Sequence, residues 1–158
     1  MWWRLTRSTF SAQKGDGNRA AFRDLVDSGP ILGLLRYEDG RPVGWCSVAP
    51  RDQFPGLARS RALPLVDDVK PWSVTCLFVR KDRRRAGVSV ELLQAAIRHA
   101  ADSGARVLEG YPVEPRQPSM PDAFAWTGTA AAFRAAGFSE AFRGPTGRLI
   151  MRYPTAQA

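Results

Sequence analysis

The sequence predicts an α/β (α+β) fold, a mixed and mostly antiparallel sheet with a central parallel βαβ unit and helices on both faces. Three observations predict it. Residues 72–79 (Trp-Ser-Val-Thr-Cys-Leu-Phe-Val) are rich in β-branched and aromatic side chains and follow Pro71, which reads as a buried strand. A basic turn then leads into Val90, Leu93, Ile97 and Ala100 at three- and four-residue spacing, widened by Leu92 and Ala96, which is a helical stripe. A further apolar run over residues 106–113 completes strand, helix and strand, so these two strands are expected to be parallel with a right-handed crossover.

The remaining elements follow in order. Residues 2–6 are read as a short first strand. Residues 14–18 (Lys-Gly-Asp-Gly-Asn) form a loop with capping potential, and Ala20, Phe22, Leu25 and Val26 then give an amphipathic helix ending near Ser28-Gly29-Pro30. Residues 31–37 and 42–49 are strands joined by Glu38-Asp39-Gly40-Arg41, which supplies hairpin chemistry. Residues 50–70 are mixed, and a short helix or irregular insert that could line a substrate pocket is as much as the pattern supports. Gly104 closes the long helix, and Pro115, Pro118 and Pro121 make residues 114–122 a loop. Thr127 or Thr129 can cap a helix that buries Ala130, Phe133 and Ala136 and stops at Gly137. Residues 138–143 and 148–153 finish the chain as two strands around Gly144-Pro-Thr-Gly147, and residues 1–158 read as one domain.

A formal charge of +8 implies an anionic partner. The cations are twenty Arg and three Lys, scattered along the chain, so composition alone assigns them no site. The first residues carry no signal-like apolar segment and no run reaches membrane-spanning length, so a cytoplasmic protein without a membrane partner is expected. Cys46 and Cys76 read as reduced core thiols, and with His99 the only histidine no metal is expected. The five tryptophans fall in or beside apolar elements and read as core or pocket wall; those near the start, Trp2 and Trp3, would also permit a homodimer.

Between strand and helix lies Arg84-Arg85-Ala86-Gly87-Val88-Ser89. The first N–H groups of a helix lack intrahelical partners and carry partial positive charge, so small residues there let a phosphate reach the backbone. Neither a P-loop nor a dinucleotide fingerprint matches this spacing. With Leu77-Phe78-Val79 before it, the turn resembles the acetyl-CoA signature of the GNAT superfamily of N-acetyltransferases, Arg/Gln-x-x-Gly-x-Gly/Ala after a strand ending Leu-x-Val, with Ser89 in place of the last Gly/Ala. Ala136-Gly137-Phe138 at the end of the late helix resembles that family too, as does the order of elements over nearly the full length.

The resemblance implies an acyl-CoA N-acyltransferase-like fold and transfer of an acetyl group from acetyl-CoA to a primary amine by direct attack. It assigns Leu77, Phe78 and Val79 to the pantetheine and Arg84, Arg85, Ala86, Gly87, Val88 and Ser89 to the pyrophosphate. It further implies that the strand over 106–113 splays away from 72–79 to admit the cofactor. Glu109 is the candidate general base by position, with Asp67 and Asp68 as competitors. Many family members place a tyrosine acid where this chain has Phe133, so Tyr111, Cys76 or a bound water could substitute, or the free thiolate could leave unaided. Two alternatives stand beside this reading: a non-catalytic acyl-CoA-binding module of the same fold, and a small basic nucleic-acid-binding protein, the latter not favoured because no recognition motif accompanies the charge.

Overall fold

The structure is a computed structural model that describes residues 2–114 and 125–155. Six strands form one sheet in the order β1-β2-β3-β4-β6-β5. The strands are β1 (Gly33–Glu38), β2 (Arg41–Pro50), β3 (Trp72–Val79), β4 (Val107–Gly110), β5 (Ser139–Arg143) and β6 (Leu149–Pro154). Only β3 and β4 run parallel; every other neighbouring pair is antiparallel. The hairpin between β1 and β2 turns at Asp39 and Gly40, whose φ values of 47° and 72° are the left-handed pair that a two-residue turn needs.

The helices are α1 (Arg7–Ala12), α2 (Asp16–Asp27), α3 (Pro55–Ala58), α4 (Val88–Asp102) and α5 (Ala130–Ala135). On one face α4 and α5 bury Leu92, Leu93, Ala96 and Phe133 against Cys46, Val48, Val74 and Leu108. On the other, Phe54, Leu57 and Leu63 of the insert pack on Ala49, Tyr111 and Ile150. The insert after β2 is thus a wall of that face, beginning in a single 3₁₀ turn over Arg51–Gln53 and continuing into α3. Thr129 caps α5 by accepting from the N–H of Ala132, as its sequence position allows.

Two expectations need correction. Residues 2–6 are not a strand: Trp2, Trp3 and Arg4 lie in a turn, and Thr6 caps α1 by accepting from the Thr9 N–H at 3.1 Å. The strand expected over 106–113 is in the ladder only from Val107 to Gly110, because Pro112 has no N–H to offer; Val113 instead makes a parallel bridge to Thr129. The loop expected over residues 114–122 lies, apart from Glu114, outside the described residues.

Candidate active site

The site begins where a strand pair stops. β3 and β4 are in register at Trp72↔Leu108, Ser73↔Glu109 and Val74↔Gly110, and no further. On its other edge β3 carries a bulge: Cys76 pairs with Ser47 and Val74 with Val48, so Thr75 is the extra residue. An extra residue bends the strand and resets which side chains face which way. Leu77 therefore joins the α4 core together with Val74, although they are three positions apart.

The open angle beyond Val74 is a cleft of about 660 Å3, within the range of ligand sites. Of the nine residues that the sequence nominated for a cofactor, eight line it: Leu77, Phe78, Val79, Arg84, Arg85, Gly87, Val88 and Ser89. Ala86 is exposed and outside the lining. The opposite wall is Trp126, already read as core or pocket wall, with Gly128, Thr129 and Ala132, which sequence reading missed; the bridge at Val113 and the N-terminus of α5 bring them in.

The basic end of the cleft is a turn built for close approach. Arg85 and Gly87 both hold left-handed backbone, at φ 63° and 81°, and α4 starts with no capping side chain. A Cβ on Gly87 would meet nothing within 4 Å, so the space in front of the helix is open. Open space, uncapped first-turn amides and the guanidiniums of Arg83, Arg84 and Arg85 on the lining form a donor set that suits a diphosphate. Arg83 is itself steadied by Glu38 at 2.6 Å, and Arg84 Nε donates to the Val79 carbonyl at 3.2 Å. At the inner end the Leu77 N–H donates to the Trp126 carbonyl at 2.8 Å.

Glu109 and Tyr111 lie elsewhere. Both are fully buried on the face under the insert, and neither lines the cleft. One Glu109 oxygen accepts from Arg51 and from the Tyr111 hydroxyl, the latter at 2.5 Å; the other accepts from Arg152 Nε at 3.0 Å. The expected role of Glu109 as a base thus finds no geometric support, since its oxygens are engaged by residues 51 and 152, which sequence spacing could not bring to it. Burial, then the Glu109 charge, push the Tyr111 phenol well above its usual range, so it stays protonated inside the cluster. Asp67 is the outer member, bonded to Arg152 at 2.7 Å, an interaction that holds its carboxyl below the usual range. Phe133 is in the core with its ring 4.9 Å from that of Phe138.

The Acetyltransferase (GNAT) family profile matches residues 1–121, about three quarters of the chain. The chain belongs to the GNAT family. Among solved structures it is similar to yncA from Salmonella typhimurium, described with its cofactor acetyl-CoA, at 16% identity and a TM-score of 0.58 over 91% of this chain and 76% of that one. A GNAT-family acetyltransferase from Streptococcus agalactiae matches at 17% identity and a TM-score of 0.58 over 94% and 79% of the two chains. The paia N-acetyltransferase from Thermoplasma acidophilum, in complex with coenzyme A, matches at 13% identity and a TM-score of 0.53 over 95% and 80%. At these identities the likeness is one of fold. No curated protein matches the sequence. Among the described residues no helix is long and apolar enough to cross a membrane, and no cluster of three potential metal ligands occurs.

Proposed function

We propose that this GNAT-family chain is an acetyl-CoA-dependent N-acetyltransferase acting on a primary amine. One observation carries the reading: the parallel pairing of β3 and β4 ends at Val74, and the cleft it opens runs to the uncapped, arginine-lined start of α4. Solved neighbours of the same fold hold acetyl-CoA or coenzyme A.

When bound, acetyl-CoA supplies an activated acetyl group whose thioester carbonyl a neutral amine can attack directly. The turn from Arg84 to Ser89 would hold the pyrophosphate with backbone amides and guanidiniums, and the Ser89 hydroxyl can add a donor. The free edge of β3 at Leu77 and Val79 would hold the pantetheine arm. The Leu77 N–H can point at a ligand oxygen only once it leaves the Trp126 carbonyl, and the Val79 carbonyl already accepts from Arg84 Nε.

Among the described residues no carboxylate lines this cleft or the neighbouring pocket; on this reading a relayed water takes the proton of the amine. Cys76 is half-buried and burial pushes its thiol up, which makes it a weak proton donor, so the leaving thiolate takes its proton from water or departs unaided. The rate should therefore rise with pH up to the pKa of the acceptor amine. A kcat/KM profile that levels off in the carboxylate range would return the base role to an acid such as Glu109.

The decisive test is ligand-linked stability. Acetyl-CoA at about 100 times its dissociation constant should stabilise the parent by ~2.7 kcal/mol, and an Arg84→Glu, Gly87→Trp double variant should lose that gain. Absence of any gain in the parent sinks the proposal. A gain without turnover on a panel of amines would leave a binding module of the same fold.

A further inference from the structure

A second cavity of about 320 Å3 lies across Trp126 from the cleft, and Trp126 lines both. The two also meet on β3, where Cys76 lines the second cavity and the next residue, Leu77, lines the first. The walls are aromatic: Trp2, Trp3, Phe22, Trp45, Phe54 and Trp126. Trp3 and Trp126 face each other with centroids 6.2 Å apart and planes tilted by 34°, and Phe22 meets Trp45 edge-on at 6.2 Å. The N-terminal turn is pinned in place by Gly56, whose N–H donates to the Trp3 carbonyl at 2.9 Å and whose Cβ, if present, would clash with it.

Among the described residues Arg4 is the one charged member of this lining. Its Cζ sits 4.4 Å from the centre of the Phe54 ring, and Nη1 makes a long contact of 3.5 Å to the Gln53 carbonyl. Nη2 is buried with no hydrogen-bond partner, and so is the indole Nε1 of Trp3 in the same pocket. Burial draws the Arg4 guanidinium below its usual pKa, as expected for a cation with no counter-charge at hand. Buried donors without acceptors are costly, and the ring beneath Arg4 replaces only part of what water or an anion would give. Both of those nitrogens are closed to solvent, so what the aromatic box presents is the rest of a guanidinium that no carboxylate among the described residues pairs. A polycationic ligand would meet the reverse: no carboxylate to hold an ammonium, and a guanidinium to repel it.

We infer that this pocket receives the acceptor and that the acceptor is an aromatic amino carboxylic acid, its ring among the aromatic walls and its carboxylate on the Arg4 guanidinium. This rests on the acetyltransferase reading. In the reaction the amine nitrogen forms a bond to the acetyl carbon as the carbon–sulfur bond of acetyl-CoA breaks; of the two protons the ammonium nitrogen gives up, one goes to solvent and one to the departing thiolate. Polyamines and lysine side chains are excluded by the charge of the pocket, and aromatic amines without a carboxylate bind weakly.

The test titrates L-tryptophan, tryptamine and spermidine into the acetyl-CoA-bound protein by calorimetry and follows thiol release. In the parent, L-tryptophan should bind at least about tenfold more tightly than either of the others, the scale of a charge-assisted hydrogen bond. Arg4→Met should erase that preference by raising KM with little change in kcat, and Arg4→Lys should restore part of it. Stabilisation by acetyl-CoA shows that each variant is folded, and the comparison of ligands in the parent needs no variant. Equal or tighter binding of tryptamine or spermidine overturns the proposal, as does a preference that survives Arg4→Met or no binding of any probe. If acetyl-CoA stabilises the protein and the preference is missing, the acceptor assignment alone falls. If acetyl-CoA fails to stabilise it, the acetyltransferase reading falls and takes the acceptor role with it.

Discussion

Two arginines on one side of the sheet sit near aromatic rings and have opposite surroundings. Arg51 lies 5.6 Å from the centre of the Tyr111 ring and is bonded to Glu109, to the Tyr111 hydroxyl at 2.7 Å and to the Leu63 carbonyl at 2.6 Å. Arg4 lies over Phe54 with one nitrogen buried and unbonded. A charge whose directions are nearly all answered from within the chain is a clamp, whereas one left unanswered beside a cavity is an offer to something outside it. Around Arg51 the answers come from Glu109 in β4, Tyr111 just beyond it and the Leu63 carbonyl of the insert, and Arg152 joins Glu109 to Asp67, so the cluster ties residues 51–67 to the sheet and sets the wall that carries Phe54.

The contrast can be broken most severely at Glu109. Glu109→Gln leaves Arg51 and Arg152 without their shared anion and should cost roughly 3–5 kcal/mol in urea unfolding. Replacing the group together, as Arg51→Met, Glu109→Leu and Arg152→Met, should recover much of that loss, because no lone charge is then left buried. An unchanged midpoint for Glu109→Gln would deny the clamp.

A smaller effect is expected from alkali. The folded Tyr111 phenol ionises above its usual value, so the folded chain holds this proton where the unfolded chain releases it. Its contribution is complete below about pH 10, the ordinary tyrosine value, and is lost as pH rises from there toward the folded value. Tyr111→Phe should flatten that alkaline decline in chemical-unfolding stability. A decline of equal steepness in the variant would place its origin elsewhere.

The smallest effect is predicted for Arg4. Arg4→Met removes a cation that nothing answers, so stability should change by less than about 1 kcal/mol, in contrast to Glu109→Gln. A loss as large as that of Glu109→Gln would show that Arg4 is a structural clamp as well.

Much of the frame was legible. Pro71 and the β-branched run gave β3 to the residue, and Asp39-Gly40 gave the hairpin, because both signals are local and steric. The Arg84–Ser89 turn was legible for the same reason. The start of the chain was not: the Thr6-x-x-Thr9 cap that begins α1 was present in the sequence, but the apolar Trp-Trp before it suggested a strand. Glu109 misled more deeply. A carboxylate in a buried strand demands an explanation, and catalysis was the available one until Arg51 and Arg152, 58 and 43 residues away, supplied another. The bulge at Thr75 hides from any count of alternating residues, since it is the count itself that it breaks. The tryptophans read as core or pocket wall are that: four of them, Trp2, Trp3, Trp45 and Trp126, enclose the second cavity, and Trp72 packs beside the α4 core.

The bond from the Leu77 N–H to the Trp126 carbonyl has a meaning for the molecule at rest. A strand released by its neighbour half-way along presents bare backbone, which is a template on which another chain can grow a sheet. Here the chain supplies its own stand-in. Residues 125–129 cover the gap, with Val113 bonded to Gly128 and Ala130 to Val113 on the far side. Opening the cleft fully is then an exchange of one partner for another along an edge kept from pairing with strangers.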